Sequence, residues 1–117
     1  MCFAVRIVVV GTTRQRRLAL RRAAVSAEWE VVGDAEGPDD GVAKAKALRA
    51  RFLVVDEDAA GPDPAGLAAT LAALQPRVFL VGVGAVAGAD AHVDADELPR
   101  LRTVLAGLLH GSGDHRH

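Results

Sequence analysis

A chain of 117 residues with formal net charge −1 and half of its residues apolar has room for one folded domain, since independent folding units cluster around ~100–150 residues. A domain of this size buries roughly two thirds of the surface its unfolded chain exposes. The single cysteine, Cys2, excludes an intramolecular disulfide and suits a reducing compartment. The longest apolar runs, such as "RIVVVG" and "VFLVGVGAVAGA", fall short of the ~18–20 residues of a membrane span, and no charged-then-apolar leader opens the chain. A cytoplasmic protein without a membrane partner is expected.

Along the chain, valine-rich runs alternate with stretches of helical spacing, the pattern of a parallel sheet covered on both faces. "VRIVVV" (Val5 to Val10) is the first strand. From Thr13 to about Ala27, Leu20, Ala23, Ala24 and Ala27 form one apolar stripe, while Arg14, Arg17 and Arg21 lie on another face, which predicts an amphipathic helix. "WEVVGDA" is the second strand. Pro38 followed by "DDGVAKAKALRA" opens the second helix with residues favoured in a first turn. "FLVVD" delivers Asp56 at the end of the third strand. Leu67, Leu71 and Leu74 stripe the third helix, with Pro76 as its stop. "VFLVGV" is the fourth strand, "AHV" a short fifth, and Leu98, Leu101, Leu105 and Leu108 stripe the last helix. Residues 1–109 form the expected domain. The tail "HGSGDHRH", residues 110–117, has no apolar content to bury and is expected to be disordered.

The segment "VVGDAEGPDDGVAKAKALRARFLVVD" and the later "GADAHV" resemble the receiver domain of two-component response regulators, a flavodoxin-like (CheY-like) fold. The likeness runs from about Val5 to Leu109. It implies an open, parallel, five-stranded sheet with helices on both faces. In that family an aspartate ending the third strand accepts a phosphoryl group, and two acidic residues after the first strand help it hold magnesium. A hydroxyl residue ending the fourth strand and a lysine after the fifth contact the phosphoryl oxygens. The resemblance makes Asp56 the phosphoacceptor equivalent. It sets the acidic pair at Gly11 and Thr12, the hydroxyl at Gly82 or Val83, and the lysine near Ala95. Apart from Asp56, none of these positions keeps its chemical type. Magnesium prefers carboxylate and water oxygens, and phosphoryl transfer depends on positioning and charge neutralisation. The set therefore reads as a degenerate pseudo-receiver.

The fourth and fifth strands are separated only by "GAVAGAD", Gly84 to Asp90. Such a segment spans at most roughly 23–25 Å fully extended, barely enough to return along a strand of about 17 Å, whereas a crossover helix needs ~10–12 residues. The family's fourth helix is expected to be missing or reduced, leaving an apolar strip on the sheet that calls for a partner.

Other constellations read more plainly. "VVVGTTRQRR" sets free backbone N–H groups and Arg14 where an anion could bind, but it lacks a phosphate-loop pattern. Thr12 or Thr13 is the expected helix cap. Near-neutral charge and scarce aromatics exclude nucleic acid as the expected partner. His110, His115 and His117 lack the partners of a metal site. Trp29 is expected to cover an edge of the core, and His92 to sit at the rim. No nucleophile and general-base pair can be assembled, so no catalytic residue, resident metal or cofactor is expected, and the chain is not read as an enzyme.

The leading expectation is an atypical, stand-alone receiver-like domain of bacterial signal transduction, acting through phosphorylation-independent contact with a histidine kinase, another regulator or a second copy as a homodimer. An alternative is a weakly phosphorylated regulator in which Glu57 and Asp58 replace the lost acids around magnesium. A further alternative is a small-ligand site bordered by Gly11, Thr12, Asp56 and Gly82, because open parallel sheets bind ligands beyond the carboxyl ends of their strands.

Overall fold

The computed structural model describes residues 5–26 and 29–111. The expectations for Cys2, His115 and His117, and most of the expected tail, lie outside the described residues. The apolar runs become β1 (Val5–Val10), β2 (Trp29–Ala35), β3 (Phe52–Asp56), β4 (Phe79–Val83) and β5 (Ala91–Val93). They form one sheet of order β2-β1-β3-β4-β5 in which every neighbouring pair is parallel. This is the strand order of flavodoxin-like sheets.

Helices α1 (Arg14–Ala24), α2 (Pro38–Leu48), α3 (Pro64–Ala72) and α4 (Leu101–Gly111) cover the two faces. Successive strand residues point to opposite sides. Val8, Val10, Leu53, Val55 and Leu80 pack with Ala45, Leu67 and Leu71 of α2 and α3. Ile7, Val9, Phe52, Val54, Val81 and Val83 pack with Leu20, Ala24, Leu101 and Leu105 of α1 and α4. The central strands are thus buried on both faces, which is why they read as unbroken apolar runs. Trp29 is half-buried against the α1/α4 cluster.

Helix ends follow local chemistry, with some departures from expectation. Thr13 caps α1, its Oγ1 accepting Arg16 N at 3.1 Å. Asp63 caps α3 by accepting Gly66 N at 3.0 Å. The third helix stops at Ala72, ahead of Pro76. Leu74 nevertheless remains half-buried against the core, so the leucine spacing outlasts the helix. Leu98 lies in a 3-10 segment, Ala95–Arg100, kinked at Glu97, and α4 proper begins only at Leu101. Its backbone runs through Gly111, so the helix takes in His110 and Gly111, which the sequence placed in the tail.

Between β4 and β5 the chain forms turns and no helix, as the short spacing predicts. The connection is fastened at both ends. Asp90 N donates to Leu80 O at 2.8 Å, the Asp90 carboxylate accepts Leu80 N at 2.8 Å and pairs with Arg77, and Gly84 N donates to Val93 O at 2.8 Å. Val86, 1% exposed, drops into the α3-side core. It rests on Gly82, where an added Cβ would lie 2.7 Å from Val86 Cβ. The expected exposed apolar strip is therefore absent from this edge, because Val86 fills the place a helix would cover. The large exposed hydrophobics among the described residues are Leu18, Val25 and Leu48, which belong to α1, its C-cap and α2.

Candidate functional site

β1, β3 and β4 end together at the carboxyl edge of the sheet. Asp56 closes β3 in register with Val83 of β4, and its alternation places it on the α1 side. It is 3% exposed and is the one charged residue that is buried among the described residues. An isolated buried carboxylate is costly, so it requires a partner.

The partner is Arg16. Thr13 caps α1 and fixes the first turn, and helical side chains lean towards the N-terminus, which aims residue 16 back over the sheet edge. Arg16 Nε donates to Asp56 Oδ2 at 3.1 Å and Nη2 to Oδ1 at 3.0 Å. This two-point, charge-assisted pairing engages both carboxylate oxygens. The Arg16 guanidinium is pushed above its ordinary value, first by the hydrogen bond to Asp56, against the effect of burial, and further by the fields of Asp56 and Asp58.

The neighbouring Arg17 turns the other way. Its Nη1 donates to Gly11 O at 2.9 Å, and its guanidinium lies 3.5 Å from Asp34 and 4.0 Å from Glu36. The two arginines straddle the end of β1. Gly11 permits this approach, since a Cβ there would meet Arg17 Cγ at 3.2 Å and Arg16 Cβ at 3.3 Å. The missing acid at this position and the arginine stems beside it are therefore one packing solution. Gly11 N donates to Ala35 O at 3.0 Å, and Thr12 is exposed.

The other residues singled out from the sequence are only partly brought together. Glu57 and Asp58 open a 3-10 turn, Glu57–Ala59, and are exposed. The Glu57 carboxylate lies over Gly84, where a Cβ would fall 2.0 Å from Oε1, on the far side of Asp56 from β1. Gly84 has φ +94, a conformation glycine adopts readily. Gly82 is closed over by Val86 and His92 and so does not line open space, while Val83 is buried in the α1/α4 core. Ala95 is exposed and borders a shallow depression with Glu57, Gly84, His92, Asp94 and Glu97. His92 is exposed on β5, with Nε2 2.9 Å from Val86 O. Arg14, the arginine the sequence offered to an anion, is exposed, whereas Arg16, not singled out there, makes the decisive contact.

Neither a protein-family model nor a curated protein sequence matches the chain. Solved structures do. The non-phosphorylated receiver domain of the stress response regulator RcsB from Escherichia coli aligns with TM-score 0.74 at 17% identity over 92% of this chain and 95% of that one. The signal receiver domain of the putative response regulator NarL from Mycobacterium tuberculosis aligns with TM-score 0.67 at 23% identity over 89% and 97%. The REC domain of AraT, a response regulator from Geobacillus stearothermophilus, aligns with TM-score 0.73 at 18% identity over 96% and 100%. The chain has the receiver fold.

A receiver fold implies magnesium beside the phosphoacceptor, and this donor set does not fit it. Among the described residues no group of His, Cys, Asp or Glu is arranged to hold a metal ion. Both Asp56 oxygens face a guanidinium. A fixed monocation on the carboxylate opposes a divalent ion at the same place.

Proposed function

We propose that this chain is a receiver-fold interaction domain of two-component signalling that works without phosphorylation of Asp56, through contact with a kinase, a second regulator or another copy of itself. The observation that carries this reading is the two-point clamp of Arg16 on the buried Asp56. A phosphoacceptor must offer an oxygen to an in-line donor while a cation neutralises the phosphoryl charge. Here both oxygens are spent on a cation tethered to the same chain. Arg16 supplies the buried charge with its counter-ion permanently, so the edge needs neither metal nor phosphate to be electrostatically complete.

The weakly phosphorylated alternative relied on Glu57 and Asp58 as substitute acids. Glu57 is turned onto Gly84, and Asp58 adds to the field that holds Arg16 charged. Against the small-ligand alternative stand the Arg16 side chain, paired with Asp56 beside Gly11, and Val86, which covers Gly82. The test is an amide NMR spectrum titrated with magnesium and then beryllofluoride. An unchanged spectrum is expected. Shifts centred on Asp56 and on residues 11–16 would return the domain to the phospho-switch class.

A further inference from the structure

The two edges of the sheet carry opposite charges that lack ion-pair partners. Lys46, Arg49 and Arg51 lie at the amino edge, where α2 ends and β3 begins, and all three are exposed. Among the described residues no carboxylate pairs with any of them. Lys46 and Arg49 border a depression of about 250 Å³ whose lining includes the apolar Ala50, Leu74, Pro76 and Val78. Arg49 stands at φ +56, a left-handed conformation that ends helices and that glycine adopts more readily. An arginine held there against backbone preference points to a use of its side chain. At the carboxyl edge, residues 57–63 connect β3 to α3 and expose Glu57, Asp58 and Asp63 around Gly61 and Pro62. None of these three carboxylates forms an ion pair among the described residues. Helix dipoles account for Lys46 in the last turn of α2 and Asp63 at the cap of α3, but Arg49, Arg51 and Asp58 lie outside both helices.

We propose that the amino-edge depression receives the acidic 57–63 loop of a second copy of the chain, so that copies stack head to tail, with Pro62 on the apolar lining and Asp58 and Asp63 against Lys46, Arg49 and Arg51. The inference rests on the protein-interaction reading above and selects the partner and both surfaces. Loop and depression lie in one column of the fold. The loop enters α3 beside the start of α2, where a Cβ on Gly61 would meet Pro38 Cγ at 2.9 Å, and the depression lies between the far ends of the same two helices. Helices that link parallel strands return from the carboxyl edge to the amino edge, so a shift along the strand direction, without rotation, brings the loop of one copy to the depression of the next. The contact uses a different surface on each partner, and by translation it extends into an open stack rather than closing as a dimer. Opposed charges steer the encounter and fix its orientation, and a net charge of −1 leaves little overall repulsion between copies. A nucleic acid or an anionic membrane would satisfy the cations but leave the acidic loop without a partner.

The test is sedimentation velocity of the full chain at rising concentration in low salt, with a DNA duplex and phosphatidylserine vesicles as comparison probes. Mass that grows beyond a dimer is expected, and it should be lost in about 1 M salt, where the Debye length is only ~3 Å. Arg49→Glu sets like charge against the loop, and Asp58→Arg sets like charge against the depression, so each alone should weaken association by about tenfold or more. An equimolar mixture of the two variants should recover growth, and so should the double variant, since each restores an opposed pair; recovery also shows that the variants fold. Arg49→Gly removes both the cation and the left-handed side-chain cost, so its melting temperature should rise while association weakens. A chain that stays monomeric, growth that stops at a dimer, single variants that associate like wild type, a mixture that fails to recover, or capture of DNA or vesicles through Arg49 without stacking would each overturn the proposal. These outcomes leave the parent reading standing, because that reading is decided by the beryllofluoride response at Asp56, which can be recorded on the Arg49→Glu variant.

Discussion

Arg16 and Asp56, forty residues apart in the chain, meet through two parallel hydrogen bonds of 3.1 and 3.0 Å across the β1–β3 edge. Breaking a buried pair from one side usually costs about 3–5 kcal/mol, because a charge is left without a partner. Arg16 retains 37% exposure of its side chain, so water can reach the orphaned carboxylate and the expected cost of Arg16→Ala falls to about 1–3 kcal/mol. A urea-unfolding cycle of Arg16→Ala, Asp56→Asn and the double variant should show a coupling of about that size. Additive effects would mean that the two side chains do not support each other in solution.

The pair also has a pH signature with a definite sign. Arg16 is raised above its ordinary value. A cation raised by a partner contributes stability that is fully present below its unfolded pKa, which for a guanidinium lies far into the alkaline range, and is lost only as pH rises through the still higher folded value. The stability difference between wild type and Arg16→Ala should therefore stay level from neutral pH to about pH 11. In Arg16→Lys the same difference should begin to shrink above about pH 10.4, where an unfolded lysine loses its proton. A wild-type difference that declines across this alkaline range would show that something other than the guanidinium holds Asp56.

The sheet was legible because its central strands, β1, β3 and β4, are buried on both sides and read as apolar runs. β1, β2, β3 and β5 begin and end where the sequence pattern places them. The receiver-like spacing from β2 to Asp56 was equally visible in one dimension. What could not be read were contacts whose partners are far apart in the chain. Arg16 looks like any solvated helix arginine until α1 is laid across β3. Its one local signal was its place three residues after a capping threonine, which aims it at the strand ends. Val86 is a lone apolar residue in a loop, with no periodicity to mark it as core. The glycines at 11 and 82 read as lost chemistry when taken alone, yet each leaves room for a particular side chain, the arginine stems at one and Val86 at the other.

The Gly82–Val86 contact can be tested by its own logic. Any Cβ at position 82 meets Val86 Cβ at 2.7 Å and Cγ2 at 2.8 Å. Gly82→Ser, which restores a hydroxyl, is expected to destabilise by about 1–3 kcal/mol through overpacking. Val86→Gly opens the clash but leaves a void and a more flexible loop, so alone it should cost a similar amount. Combined, the two should cost clearly less than their sum in thermal or urea unfolding. Simple additivity would mean that the loop from Gly84 to Asp90 does not rest on β4 as described.

If Arg16 stands where a divalent ion would otherwise be needed, removing it and supplying oxygens should change which cation the edge takes. Thr12 is exposed at the end of β1, and Thr12→Asp adds a carboxylate there without the crowding that a side chain on Gly11 would meet from the arginine stems. Thr12→Asp alone should remain indifferent to magnesium, because the guanidinium still holds both Asp56 oxygens. Arg16→Ala alone leaves one buried carboxylate, too few oxygens for a hard cation that keeps several waters. The double variant should bind magnesium in the millimolar range, seen as amide shifts at Asp56 and at residues 11–13 and as a melting temperature that rises with added magnesium, since a ligand that binds only the folded state stabilises it. Response in the double variant with silence in wild type and both single variants identifies the guanidinium as the built-in replacement for the metal. If all the proteins respond alike, magnesium binds elsewhere on the acidic loops and Arg16 only packs; if the double variant is silent, the edge has lost the geometry of a metal site for reasons beyond its charges.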